Sequence, residues 1–161
     1  MFGQSLRRWK EQGIDSKDPE SLVRHRHKQK RLADGAVLHQ HGVVVPRDLA
    51  DIPRIGVRFM LPESFDTIRW FGEGPHECYP DRRSSALTGI WESSPDELPY
   101  LVPQEFGLRM SCRWMEFSSA SGAHDGHAIR ISAIGNSLHM SALQYTPEDL
   151  FAAEEAGVNW Y

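Results

Sequence analysis

The residues best equipped for chemistry crowd into one stretch, Trp70 to Trp91, WFGEGPHECYPDRRSSALTGIW. Glu73, Glu77, Tyr79, Asp81, Arg82 and Arg83 fall within about ten residues of one another. Carboxylate, phenol and guanidinium at this spacing can close a hydrogen-bonded cluster, because arginine offers five donors in a planar fork that fits a carboxylate bidentately. Such a loop can host a reaction, or it can be a structural corner whose charges satisfy one another. Gly72, Gly74 and Pro75 end the extended signal of Ile68 and Trp70, so the cluster sits on a loop between two strands.

Histidine offers a second chemistry. The chain has 8 histidines, and His25-x-His27 and His39-x-His41 each put two imidazoles on one face of an expected strand. Pairing of those strands in register would bring four nitrogens together, enough to hold a metal. The surrounding RHRHKQKR run, Arg24 to Arg31, would repel a cation, so the expectation is no metal and no cofactor. His124 and His127, flanking Asp125-Gly126 in an expected loop, are a weaker pair. The same basic run could pass for an anion patch, but its alternation fits the wet face of a surface strand.

Strands must position these residues. Period-two patterning places them at Leu22 to Lys30, Ala36 to Val45, Arg54 to Leu61, Thr67 to Phe71, Ala86 to Trp91, Tyr100 to Val102, Leu108 to Phe117, Ala128 to Ile134 and Ser137 to Leu143. The clearest is Ile55, Val57, Phe59 and Leu61 against Gly56, Arg58 and Met60, which should bury one face. Turn formers at Asp34-Gly35, Leu61-Pro62-Glu63, Ser94-Pro95-Asp96, Ser121-Gly122 and Gly135-Asn136 separate the strands. Many short strands with this punctuation predict an all-β protein built as an antiparallel β-sandwich or barrel. Gln4 to Gln12 reads as a short helix stopped by Gly13. Thr146, with Pro147 and Asp149, opens a second short helix that Gly157 can stop.

With 161 residues, the chain fits one domain: helix and linker at 1–20, sandwich strands at 21–145, and a terminal helix with a frayed end at 146–161. A hydrophobic share of 40% and a charged share of 25% exclude a disordered tail. A net charge of -4 and a pI near 6.0 argue against nucleic acid as a partner. No apolar run approaches the about 18 residues of a membrane span, and MFGQSLRRWKEQG lacks a signal peptide's apolar core, so the expectation is a cytoplasmic protein that does not enter membranes. Cys78 and Cys112 are expected as free thiols, having no metal-style spacing.

Three ordered motifs carry a family resemblance. They are Gly74-Pro75-x-Glu77-x-Tyr79-x-Asp81-Arg82 preceded by Trp70; Pro103-Gln104-Glu105-x-Gly107-x-Arg109 followed by Arg113-Trp114; and Ser141-Ala142-Leu143 with Tyr145-Thr146-Pro147-Glu148-Asp149-Leu150. Together they resemble the C-terminal (small-chain, fifth) domain of the glycoside hydrolase family 2 β-galactosidases. The match runs from Ile52 to Leu150, with a weaker echo at Trp9-Lys10-Glu11-x-Gly13-Ile14-Asp15. The resemblance implies a large antiparallel β-sandwich, a supersandwich of the galactose-mutarotase-like kind, and retaining hydrolysis of terminal β-D-galactosides by the full-length enzyme.

Retaining hydrolysis needs two carboxylates about 5 Å apart. Glu77 and Glu105 are the one pair worth weighing, since both are expected in loops beside arginines. The resemblance argues otherwise, because it implies that both catalytic glutamates belong to a (β/α)₈ barrel, which takes at least about 200 residues. It implies for Glu77, Tyr79, Asp81, Arg82, Glu105, Arg109, Arg113 and Trp114 the role of organising loops, or of touching sugar, on the face toward that barrel. No catalytic residue is expected in this chain, and the remainder of a β-galactosidase is the implied partner.

The chain also departs from the family pattern. Phe106, Gly107, Leu108 and Arg109 stand where an Asn-x-Asn-Arg-like stretch is usual in the family, and after Leu150 the sequence FAAEEAGVNWY stands where the family has further strands and a sugar-stacking aromatic, for which Trp160 is no substitute. The expectation is therefore a truncated piece of the sandwich. Two other readings stand beside it: a carbohydrate-binding module stacking a galactoside on Trp70, Trp91, Trp114 or Tyr79, and an assembly partner that pairs with another chain or a second copy through an open sheet edge.

Overall fold

The computed structural model describes residues 7, 10–12, 22–49, 52, 54–95, 97, 105–122, 126–146, 148–150 and 152. Among the described residues eight strands follow in order: β1 (Arg24–Arg31), β2 (Val37–Val44), β3 (Thr67–Gly74), β4 (Leu87–Ser93), β5 (Arg109–Cys112), β6 (Trp114–Ser118), β7 (Ile129–Ser132) and β8 (Leu138–Met140). Every strand pairing is antiparallel. Among the described residues the helical ones form only short stretches, 10–12 and 148–150 being the longest. The protein is all-β, as the turn spacing and the resemblance both imply. The expected strand Tyr100 to Val102, Gly13 and the chain after Ala152 lie outside the described residues.

The contacts divide the chain into two compact units, Met1–Phe59 and Met60–Tyr161. In the first, β1 and β2 form a hairpin whose register sets His27 opposite His41 and Lys28 opposite Gln40. The turn is built by its own chemistry. Asp34 Oδ1 accepts the Ala36 N–H at 3.0 Å, Leu32 N–H reaches Ala36 O at 2.8 Å, and Gly35 takes a φ of 86° that only glycine adopts cheaply.

The expected strand Arg54 to Leu61 is not formed. No ladder runs through it, and Ile55, Val57 and Phe59 are 53%, 51% and 49% exposed, while only Leu61 packs against a core. An alternating segment hides its apolar face only when a neighbouring strand carries it into a sheet, and none of the described strands pairs with this one.

In the second unit, β4-β3-β6-β7 make a four-stranded sheet and β5-β8 a two-stranded one. Ile68 stands opposite Phe117 and Trp70 opposite Met115, so all four side chains share one face of the larger sheet. They meet Cys112 of β5, with Met140 of β8 packed against them. This is the sandwich core. Each large apolar side chain buried here contributes on the order of 1.5–3 kcal/mol.

The expected single strand Leu108 to Phe117 is split at Arg113, whose N–H donates to Phe71 O while its C=O accepts from Ala133 N–H, each at 2.8 Å. The chain thereby crosses from the small sheet to the large one. The predicted C-terminal cap is present: Thr146 Oγ1 accepts the Asp149 N–H at 3.1 Å and the Thr146 N–H donates to Asp149 Oδ2 at 3.0 Å.

Candidate functional site

β3 delivers the charged loop. Its last residues, Gly72, Glu73 and Gly74, lie against β5 and Trp91, where side chains would not fit: a Cβ on Gly72 would sit 3.0 Å from Cys112 Cα, and one on Gly74 2.6 Å from Trp91 Cδ1. Close approach is why glycine brackets Glu73. From there the loop 75–86 folds back on itself, with Tyr79 and Arg82 exchanging backbone hydrogen bonds at 3.2 and 2.9 Å and His76 Nε2 lying 3.0 Å from Ser85 Oγ.

Two ion pairs hold this loop. Glu77 Oε1 accepts from Arg82 Nη2 at 2.6 Å, and its other oxygen accepts the Gly107 N–H at 2.7 Å. Deeper in, Glu73 Oε1 accepts from Arg83 and, at 2.8 Å, from Ser111 Oγ. Ser111 reaches it from a φ of 55°, within the irregular register of β5 between Arg109 and Cys112. Glu73 is only 6% exposed, and its Oε2 has no hydrogen-bond partner among the described residues.

Backbone contacts lock the loop to the stretch before β5. Cys78 N–H donates to Leu108 O at 2.8 Å, and Met110 N–H points at Cys78 Sγ, 3.3 Å away. Both cysteines are buried free thiols, as expected. Burial pushes the Cys78 thiol up and the Cys112 thiol up to about 12, so neither is a nucleophile at neutral pH.

Arg109 lies beneath this layer, 1% exposed, with its guanidinium 4.3 Å from the Trp70 ring centroid. It donates to Gly107 O at 3.0 Å and Ser93 Oγ at 3.3 Å, while Nε has no partner among the described residues. Burial lowers its pKa from the ordinary arginine value. The Trp70 indole N–H donates to Glu73 O at 3.0 Å, closing a chain from Arg109 through Trp70 to the Glu73 backbone. The Tyr79 phenol is pushed up to about 12, first by burial and then by the charges of Glu77 and Glu105. Its hydroxyl oxygen is buried without a partner among the described residues.

Of the eight residues singled out in the sequence, Glu77, Tyr79, Arg82 and Arg109 gather in this assembly, and the Glu105 charge is felt at Tyr79. Asp81 is exposed in the turn between Tyr79 and Arg82. Arg113 and Trp114 belong elsewhere: Arg113 donates to Gly135 O at 2.8 Å, and Trp114 lies 4.4 Å under the guanidinium of Arg130, itself paired with Glu116 at 2.7 Å. Sequence reasoning passed over Ser111 and gave Glu73 no role of its own. A charged residue bracketed by glycines was the available signal for Glu73; nothing in residue type announces a left-handed serine.

The aromatic rings are occupied. Trp70 is fully buried, Trp114 has one face under Arg130, and Arg82 lies 5.1 Å from the Tyr79 ring centroid. Trp91 packs against the core with its edge beside Gly74 and Gly89. No helix among the described residues is long and apolar enough to cross a membrane.

Comparison with known proteins is consistent across the chain. The family model described as "Beta galactosidase small chain" matches residues 6–157. The chain is 33% identical over 146 residues to a beta-galactosidase of Vibrio cholerae, covering 86% of this chain and 13% of that protein. It is 31% identical over 121 residues to a beta-galactosidase of Priestia megaterium, covering 74% of this chain and 11% of that protein. An Arthrobacter beta-galactosidase is 48% identical over 68 residues, or 41% of this chain and 7% of the relative. The chain thus spans about a tenth of the length of the curated relatives it matches.

Proposed function

We propose, since the chain belongs to the beta galactosidase small chain family, that it serves a β-galactosidase as the non-catalytic sandwich whose charged loop is held rigid to shape the mouth of a catalytic barrel supplied by the rest of the enzyme. The observation that carries this reading is how Glu77 uses its carboxylate. One oxygen is taken by Arg82 and the other by the Gly107 N–H. A general acid or nucleophile must present an oxygen to the glycosidic bond, whereas a carboxylate bonded on both sides joins two loops. Arg83 and Ser111 hold the neighbouring Glu73 from the buried side, both through its Oε1. Several donors and acceptors locked together hold a loop in one conformation, which a loop bordering a reaction needs. The substrate of the assembled enzyme is then a terminal β-D-galactoside, and the partner is the remainder of such an enzyme.

The test uses the Vibrio cholerae beta-galactosidase lacking its matching segment, with this chain added in trans. Hydrolysis of a chromogenic β-galactoside should be absent from either part alone and restored by the mixture, with Glu77→Gln lowering the restored kcat. Turnover by this chain alone, abolished by Glu77→Gln or Glu105→Gln, would overturn the reading and place an active site in these loops.

A further inference from the structure

We propose that the β1–β2 hairpin carries a binding site for a transition-metal ion, with His27, His39 and His41 as imidazole ligands and His25 as the fourth. The site is distinct from the charged loop, and it does not rest on the galactosidase reading.

The register creates it. His27 pairs directly with His41, and His25 and His39 lie one step along the ladder on either side, diagonal to their partners. Side chains two apart on a strand share a face, so all four imidazoles line one side of the hairpin. They form a stack with ring centroids 4.3 Å apart for His27 and His41 and 5.3 Å for His25–His41 and His27–His39, all within 9° of parallel. His25 Nε2 lies 3.1 Å from His41 Nδ1, and His27 Nε2 lies 3.1 Å from His39 Nδ1.

These separations suit a metal. Nitrogens bound tetrahedrally at about 2.0–2.1 Å sit about 3.3 Å from one another, so both pairs are already near bite distance. One ligand atom from each of His27, His39 and His41 lies within 4.8 Å of the others. Closing that spread takes ring rotation, which is open to His25, His27 and His39 because their side chains are exposed. Two neutral imidazoles 3.1 Å apart are joined by one N–H, and once the donor ring carries its proton on its other nitrogen, each ring can give a lone pair to a metal ion between them.

The basic run does not oppose this as the sequence suggests. Alternation puts Arg24, Arg26, Lys28 and Lys30 on the opposite face of β1, and Arg31 is the one cation of β1 on the histidine side, at the strand end opposite Val37. Within the two paired strands the residues beside the histidines on that side are uncharged, Gln29 opposite His39 and Val43 opposite His25, and Phe59 stands edge-on 6.1 Å from the His39 ring. An all-imidazole set selects Zn²⁺, Cu²⁺, Ni²⁺ or Co²⁺ over Mg²⁺ and Ca²⁺, which prefer oxygen.

The 161-residue chain is titrated with Co²⁺, whose visible absorption reports imidazole coordination, and then with Zn²⁺ as competitor. One Co²⁺ per chain should bind and be displaced by Zn²⁺. The doubly substituted His27→Gln, His41→Gln chain should bind more weakly by well over the about 10–100-fold that loss of an outer-shell partner costs. His127→Gln and His139→Gln should bind as the parent does. Affinity should fall as the solution is acidified, because protons compete with the metal for the ring nitrogens. Far-ultraviolet circular dichroism checks that the variants keep their strands. Absence of a coordinated Co²⁺ spectrum, or binding that survives the double substitution or falls equally in the control variants, would overturn the site.

Discussion

Replacing Gly72 by alanine tests the packing of β3 against β5. The added Cβ would lie 2.9 Å from Cys112 Sγ, 3.0 Å from Cys112 Cα and 3.0 Å from Met110 O, against the 3.4–4 Å of ordinary contact. Two of these three atoms are backbone, so rotating a side chain cannot relieve them, and β3 and β5 must part by about half an ångström. Overpacking of this kind costs about 1–3 kcal/mol, and the backbone contacts put this site at the upper end. For a chain of this length each kcal/mol lowers the melting temperature by about 2–4 °C, so a fall of roughly 4–12 °C is expected. Urea unfolding followed by tryptophan fluorescence, with the buried Trp70 among the reporters, measures the change. Gly56→Ala, where an added Cβ meets nothing within 4 Å, is the control and should stay within about 0.5 kcal/mol of the parent. Adding Cys112→Ala to Gly72→Ala should restore little, because the backbone atoms remain. A Gly72→Ala chain as stable as Gly56→Ala, or fully rescued by Cys112→Ala, would refute the packing argument.

The two loop ion pairs should differ in worth. Arg83→Ala strands the buried Glu73 carboxylate and should cost about 1–3 kcal/mol, whereas Arg82→Ala removes a partner 63% exposed and should cost about 0–1 kcal/mol, as urea midpoints of the two variants will show. Tyr79 makes an alkaline prediction. Its folded pKa of about 12 lies above the ordinary 10.0, so the unfolded chain releases this proton first and the contribution to stability, complete below pH 10, is lost as pH rises toward 12. Tyr79→Phe should flatten that part of the stability profile in denaturant melts across the range. Because the phenolic oxygen is buried without a partner among the described residues, the same variant should be no less stable than the parent at pH 7. Thr146→Ala removes the hydroxyl that caps the Asp149 N–H and should cost about 1 kcal/mol, read as the drop in melting temperature of the variant.

Local chemistry was legible in the residues themselves. The Asp34-Gly35 turn, the Thr146 cap and the period-two strands depend on neighbours a few positions apart, and the chain forms them where their side chains place them. The Glu77–Arg82 pair is of the same kind, five residues apart across a turn. Other bonds were not legible, because they join positions far apart in the chain. Glu73 meets Ser111 across 38 residues, and Glu77 meets Gly107 across 30. The pairing of β3 with β6 and the unusual φ of Ser111 decide those meetings. The segment at 54–61 shows the converse, since alternation states which face wants burial but cannot supply the neighbouring strand that buries it. The histidines depend on both. Their two-residue spacing, readable at once, put each pair on one face and the lysines and most of the arginines of β1 on the other; the register of the hairpin set His27 opposite His41. Periodicity is a property of a strand, but register belongs to a pair of strands, and only the folded hairpin has it.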